Sequence, residues 1–212
     1  MNYRGILFDL DGTLLNTNAL IIQSFQHTYR VHFNRDVDVD IVRAYFGRPL
    51  RAALEYLGPD KVDEMTKTYR EFNASNHDRL TRIFPDVTET LQRLYASGIK
   101  LAVVTSKFEE RARLGLKLFD IEKYFSVVIG CDNCENHKPH PEPVELALKA
   151  IQLSASDCLM AGDSPADLKS AACAGVKTAA VRWTELPWTV IEAENADFVL
   201  ASMKDLLSIC GI

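Results

Sequence analysis

The chain has 212 residues, 47% apolar and 25% charged, with a formal net charge of −5. That length fits one α/β domain with an insertion or two modest domains, and such a chain can bury a core without disulfide staples. The acidic balance gives no support to nucleic acid or a membrane surface as partner. No apolar run approaches the ~20 residues of a membrane span, and five cysteines without a secretory leader predict a reduced, cytoplasmic protein.

In chain order, residues 4–8 read as an apolar strand ending in Asp9-Leu10-Asp11-Gly12-Thr13. From 16 to 81 the period becomes helical. Ile21, Phe25 and Tyr29, then Leu50, Leu54 and Leu57, then Met65, Tyr69 and Phe72 recur at about one-turn spacing, with Pro49 at a helix start and Gly58-Pro59 at its end. After Arg82 helices and strands alternate. Asp86 and Glu89 frame a capping box for a helix closed by Gly98. Residues 100–105 form a continuous apolar strand of the buried parallel type. Helices follow over 109–118, 142–152 and 165–174, strands over 126–129, 158–161 and 177–181, and an edge strand near 198–200. Such a series predicts an α/β fold, a doubly wound parallel sheet over residues 1–15 and 82–212. An all-helical cap, residues 16–81, is inserted after the first strand. No Gly-rich dinucleotide fingerprint and no Walker phosphate loop occur.

Open sheets of this kind bind ligands at the carboxyl ends of their strands. Those positions hold Asp9 and Asp11, Thr105, the Lys138 loop and Asp163. Side chains two apart on a strand point the same way, so Asp9 and Asp11 can serve one reaction. Asp9 can attack phosphorus as a nucleophile, and Asp11 can carry protons to the leaving oxygen and from the attacking water. Gly12 permits the turn that follows, and Thr13 is placed to orient Asp11. An anionic nucleophile approaching a phosphoryl group needs a hard cation, and magnesium is the default. Asp9, Asp163 and the main-chain carbonyl of Asp11 are its expected ligands. Asp167 is either a further residue of the metal site or the N3 residue of a helix with Ser164 at N-cap and Pro165 at N1. Lys138 supplies a second positive charge, and Thr105 and the Ser106 amide are placed to bind phosphoryl oxygens. In the cap, Arg48 and Arg51, after Gly47, are candidates for a second anionic group of the substrate, and Asn18 for a contact from the hinge. Lys107 reads as a solvated lysine.

Phe8 to Leu14 resembles the first motif of the haloacid dehalogenase (HAD) superfamily. Val103-Val104-Thr105 resembles the second, Lys138-Pro139-His140-Pro141 the third, and Gly162-Asp163-Ser164-Pro165-Ala166-Asp167 the fourth. The four stand in order across nearly the whole chain. The resemblance implies a Rossmann-like core, a helical cap, Mg²⁺ and an aspartyl-phosphate intermediate. The dehalogenases of the family lack the second aspartate of the first motif, so Asp11 implies phosphoryl transfer. Phosphonate-cleaving relatives need a cap lysine, and Lys61 and Lys67 lie past the segment where it is expected. Within the family the chain resembles the HAD-type inorganic pyrophosphatases that accompany HPr kinase/phosphorylase, notably through Leu15-Asn16-Thr17-Asn18. Phosphoglycolate phosphatases share most of the later features. The expected activity is hydrolysis of a small phosphorylated compound, pyrophosphate first and phosphoglycolate second. A β-phosphoglucomutase-like phosphomutase is the alternative, although no set of hydroxyl-binding cap residues is identifiable.

Cys131, Cys134, His137 and His140 recur every third residue and are ligand types of a zinc site. The interval between the pairs is far shorter than in standard zinc sites and overlaps the Lys138 loop, which disfavours zinc. Cys158, Cys173 and Cys210 read as core filler.

Overall fold

Four- and five-residue runs of Ile, Leu, Val and Ala are too short for helices but long enough to cross a buried sheet. In a computed structural model describing residues 3–212 they do so. The chain runs through β1 (Gly5–Phe8) and β2 (Leu15–Asn16) into helices α1 (Asn18–Phe33), α2 (Val39–Arg43), α3 (Leu50–Leu57) and α4 (Val62–Leu80). It returns through β3 (Arg82–Ile83) and α5 (Val87–Ala96) to β4 (Lys100–Val104), α6 (Glu109–Leu118), β5 (Phe125–Ile129) and α7 (Glu142–Ile151). The rest comprises β6 (Cys158–Gly162), α8 (Pro165–Cys173), β7 (Lys177–Val181), α9 (Trp188–Glu192), β8 (Phe198–Leu200) and α10 (Asp205–Cys210).

Six strands form one parallel sheet in the order β5-β4-β1-β6-β7-β8. Strand alternation divides the core. Ile6 and Phe8 join the apolar cluster under α5, α6 and α10, with Leu91, Leu116 and Leu206. Leu7 joins the opposite cluster under α7 and α8, with Val144, Leu148 and Ala171. Burying a side chain such as Phe8 contributes about 1.5–3 kcal/mol, so both faces of the central strand anchor it.

From β1 the chain builds outward one way through β4 and β5, then the other way through β6, β7 and β8. The strand order therefore reverses at β1, and a crevice opens at the carboxyl ends of its neighbours. Phe8 lies level with Val103 of β4 and Ala161 of β6. Asp9, Thr105 and Asp163 thus follow three adjacent strands at one edge of the sheet.

Helices α1 to α4 build an apolar cluster of their own from Phe25, Val42, Phe46, Leu54, Met65 and Tyr69. The Phe25 and Tyr69 rings meet edge to face at 4.9 Å. The chain leaves and re-enters the sheet layer through a short antiparallel ribbon, Leu15 against Ile83 and Asn16 against Arg82. No helix among the described residues is long and apolar enough to cross a membrane.

Two local expectations need correction. Asp86 makes no capping box: its φ is 64°, and its carboxylate accepts from Lys204 Nζ at 3.0 Å and Ser202 Oγ at 3.2 Å. Glu89 also pairs with Lys204, at 3.0 Å. A distant cation at the start of α10 takes both carboxylates. Cys158 and Cys210 are buried, but Cys173 closes α8 on the outside and is exposed.

Candidate active site

Asp9 leaves β1 with the same parity as Leu7, toward the α7/α8 side. There it meets Lys138, from the loop between β5 and α7, whose side chain is only 2% exposed. The ammonium has three donors and three acceptors: Asp9 Oδ1 at 2.7 Å, Asp167 Oδ1 at 2.5 Å and the Val104 carbonyl at 3.1 Å. Asp167 Oδ2 accepts from the Ser164 amide at 3.1 Å and from Ser164 Oγ at 2.6 Å. Ser164 Oγ in turn accepts from the Asp167 amide, which completes a capping box at the start of α8 with Pro165 at N1. Both Asp167 oxygens are thus committed to the helix start and to Lys138.

Asp163 is different. Its Oδ1 is buried and has no hydrogen-bond partner, although its carbonyl accepts from Thr184 Oγ1 at 2.8 Å. Asp9, Asp163 and Asp167 each offer an oxygen, and the three lie within 4.8 Å of one another. Burial pushes Asp9 up to about 7, with Asp167 and Asp11 adding and Lys138 opposing. Burial, then Asp9 and Asp167, hold Asp163 well above the usual carboxylate range. Burial alone would depress Lys138, but Asp167 and Asp9 more than reverse it and hold the ammonium charged. One buried cation among three buried carboxylates leaves a deficit of positive charge. A hard divalent cation fits it: the donors are all carboxylate oxygens, and one of them is orphaned. Gly12 keeps this edge open. Its φ is +92°, and a Cβ there would stand 2.2 Å from Asp163 Oδ2.

Asp11 is held by a separate set of groups. Its Oδ1 accepts from Thr17 Oγ1 and from Lys107 Nζ, both at 2.7 Å. Two readings of the sequence are corrected here. Thr13 does not orient Asp11, because its buried hydroxyl has no partner; its carbonyl accepts from Trp183 Nε1 at 3.2 Å. Lys107 is not solvated, because its side chain is 19% exposed and ion-paired to Asp11. Its place two residues beyond Thr105, at a strand's carboxyl end, was the available signal; Thr17 carried none.

Thr105 is buried, and its Oγ1 accepts from the Lys107 amide at 3.2 Å, which leaves the hydroxyl proton free to donate. Ser106 Oγ donates to the Gly47 carbonyl at 3.0 Å and so ties the loop before α3 to the sheet edge. The cap candidates divide. Asn18 is buried at the start of α1. Arg48 is exposed, with its guanidinium 5.5 Å from the Tyr45 ring centroid. Arg51 is exposed and spent on Glu55 and Asp63, both at 3.0 Å. The Cys131, Cys134, His137 and His140 side chains do not converge: Cys134 Sγ lies 3.6 Å from His137 Nδ1, while His140 Nδ1 accepts from the Glu142 amide. Among the described residues the only candidate metal-binding group is Asp9, Asp163 and Asp167.

Known proteins resemble this chain over its whole length. The family model for haloacid dehalogenase-like hydrolases matches residues 6–181. A pyrophosphatase PpaX of Anoxybacillus flavithermus is 44% identical over 212 residues, all of this chain and 99% of the relative. A pyrophosphatase PpaX of Halalkalibacterium halodurans is 41% identical, with the same coverage. A solved structure described as a predicted phosphoglycolate phosphatase, from Haemophilus somnus, superposes with a TM-score of 0.90 at 25% identity, covering 99% of this chain and 98% of that one.

Proposed function

The chain belongs to the haloacid dehalogenase-like hydrolase family, and from that premise we propose that it is a Mg²⁺-dependent phosphohydrolase that cleaves inorganic pyrophosphate through a phosphorylated Asp9. The observation that carries the chemistry is the buried Asp9–Lys138 pair facing an unpartnered Asp163 oxygen. The substrate rests on the 41–44% identity, end to end, with proteins named pyrophosphatase.

In this reading Lys138 fixes one Asp9 oxygen and so aims the carboxylate at phosphorus. An Asp9 oxygen bonds to one phosphorus atom, and the bond from that phosphorus to the bridging oxygen breaks. Asp11 gives its proton to the departing phosphate. A water then attacks the phosphorus of the aspartyl phosphate, the Asp9–phosphorus bond breaks, and Asp11 takes the water's proton. Thr105 and the Ser106 amide bind phosphoryl oxygens during both steps. Asp9, Asp163 and the Asp11 carbonyl would hold the Mg²⁺, with Asp167 behind them as helix cap and Lys138 anchor. When bound, the ion neutralises charge on the phosphoryl oxygens. Residues 16–81 act as a cap over this edge, and Asn18 and Arg48 are its candidate contacts to substrate.

The test is phosphate release with Mg²⁺ from pyrophosphate, phosphoglycolate, sugar phosphates and nucleotides. Pyrophosphate is expected to lead in kcat/KM by at least about tenfold. A lead for phosphoglycolate would overturn the substrate and keep the chemistry. Isomerised sugar phosphate without free phosphate would point to a mutase.

A further inference from the structure

A cavity of about 470 Å³ lies where α4 of the helical segment faces α6 of the sheet layer. Asn73, His77 and Asp78 line it from one side, and Lys107, Arg111 and Lys117 from the other. In a chain of net charge −5 this wall is locally cationic. Arg111 forms no ion pair among the described residues, and Lys117 has only Glu122, at 3.7 Å. The one lining carboxylate, Asp78, is engaged by His77 Nδ1 at 2.9 Å. His77 Nε2 is buried and has no partner. Gly115 of α6 faces His77: a Cβ there would press on Leu15 Cδ1 at 2.8 Å and stand in ordinary contact with His77 Nε2 at 3.6 Å.

Lys107 joins the cavity to the reaction. It lines the cavity and also reaches Asp11 Oδ1 at 2.7 Å. Lys107 thus stands between the cavity and the carboxyl that would protonate the departing group. We propose that the α4–α6 cleft is an inorganic-phosphate site that receives the anionic leaving group, with Lys107 and Arg111 as its recognition elements. This rests on the pyrophosphatase reading for the identity of the leaving group. It makes Arg111 a specificity residue for pyrophosphate over esters whose leaving group carries no phosphoryl oxygens.

The experiment compares the full-length wild type with Arg111→Gln and Lys117→Gln, both on the exposed side of α6. KM for pyrophosphate and the inhibition constant of inorganic phosphate are expected to rise together, by about fivefold in Arg111→Gln, and less in Lys117→Gln. The change in kcat should stay within about twofold, and KM for p-nitrophenyl phosphate should rise less than KM for pyrophosphate. Equal shifts on both substrates, or an unmoved inhibition constant for phosphate, would overturn the site. If the wild type fails to cleave pyrophosphate, the substrate reading falls. The phosphate inhibition constant against whichever substrate is turned over then decides the cleft separately: a rise in Arg111→Gln supports it and no change overturns it.

Discussion

The strand ends and the helical segment handle charge in opposite ways. At the ends of β1 and β6, Asp9, Asp163 and Lys138 are all at least 95% buried, and one carboxylate oxygen has no partner. On α3 and α4 the charges stand in water, and Arg51 pairs with Glu55 and Asp63. Water-screened pairs of the second kind are worth little, whereas desolvated charges are costly unless matched by a ligand or a fixed partner. Unfavourable charge retained inside the fold therefore marks the site, and abundant charge on the helices does not.

The strongest test of that contrast is Asp9→Asn, which keeps the shape and removes the nucleophile. Turnover should fall by at least about 10⁴-fold, with no loss of melting temperature, because one of three crowded carboxylates is gone. Phosphate release near the wild-type rate would remove Asp9 from the chemistry. Lys138→Ala comes next. Burial between Asp9 and Asp167 makes the stability loss large as well as the loss of phosphate handling. Two buried carboxylates left unpaired should cost about 3–5 kcal/mol, a fall in melting temperature of roughly 10 °C for a chain of this size. A shift under ~2 °C would mean that water or a cation replaces the ammonium easily.

Lys107→Ala probes the second ion pair. Asp11 would keep Thr17 and lose its cation, so kcat should fall by about tenfold while the fold persists. Thr17→Val should fall in the same direction. A change confined to KM would show that Lys107 binds substrate without positioning Asp11.

These cases show why the strand ends were legible and parts of their surroundings were not. A parallel sheet has one place for ligands, and register brings Asp9, Thr105 and Asp163 there whatever the loops do. The Ser164-Pro165-Asp167 cap was legible because all of its groups lie within four consecutive residues. Lys107 was misread because its partner lies 96 residues away in sequence, and no local pattern encodes that approach. Asp86 failed for a related reason: a cation from α10 competed with the cap. The segment 16–81 showed its helices in its period, but its contacts with the site depend on loop placement such as Ser106 on Gly47.

Metal removal sharpens the comparison through pH. The Asp9 carboxyl titrates near 7 in the fold, raised first by burial, against about 3.9 in an unfolded chain. Between those values the unfolded chain releases its proton while the folded one retains it, so stability falls as pH rises from about 4 to 7 and levels off above. Asp163 shifts in the same direction and adds to the fall. Thermal melts with EDTA should show this decline, and Mg²⁺ should flatten it by favouring the ionised carboxylates. Parallel curves with and without Mg²⁺ would mean that no divalent cation reaches the three aspartates.

The smallest expected effect lies on the helical segment, where two neighbouring arginines differ in a way that can be measured. Arg51 already has two carboxylates, so Arg51→Ala should leave both KM and kcat close to wild type. Arg48 has no acidic partner among the described residues and lies over Tyr45 beside the Gly47 loop, which Ser106 ties to the sheet edge. If that loop carries a cation to the substrate, Arg48→Ala should raise KM by about three- to fivefold with kcat little changed. Equal behaviour of the two variants would place both arginines among the solvated charges of the helices, and would leave recognition of the second phosphoryl group to the α6 side of the cleft.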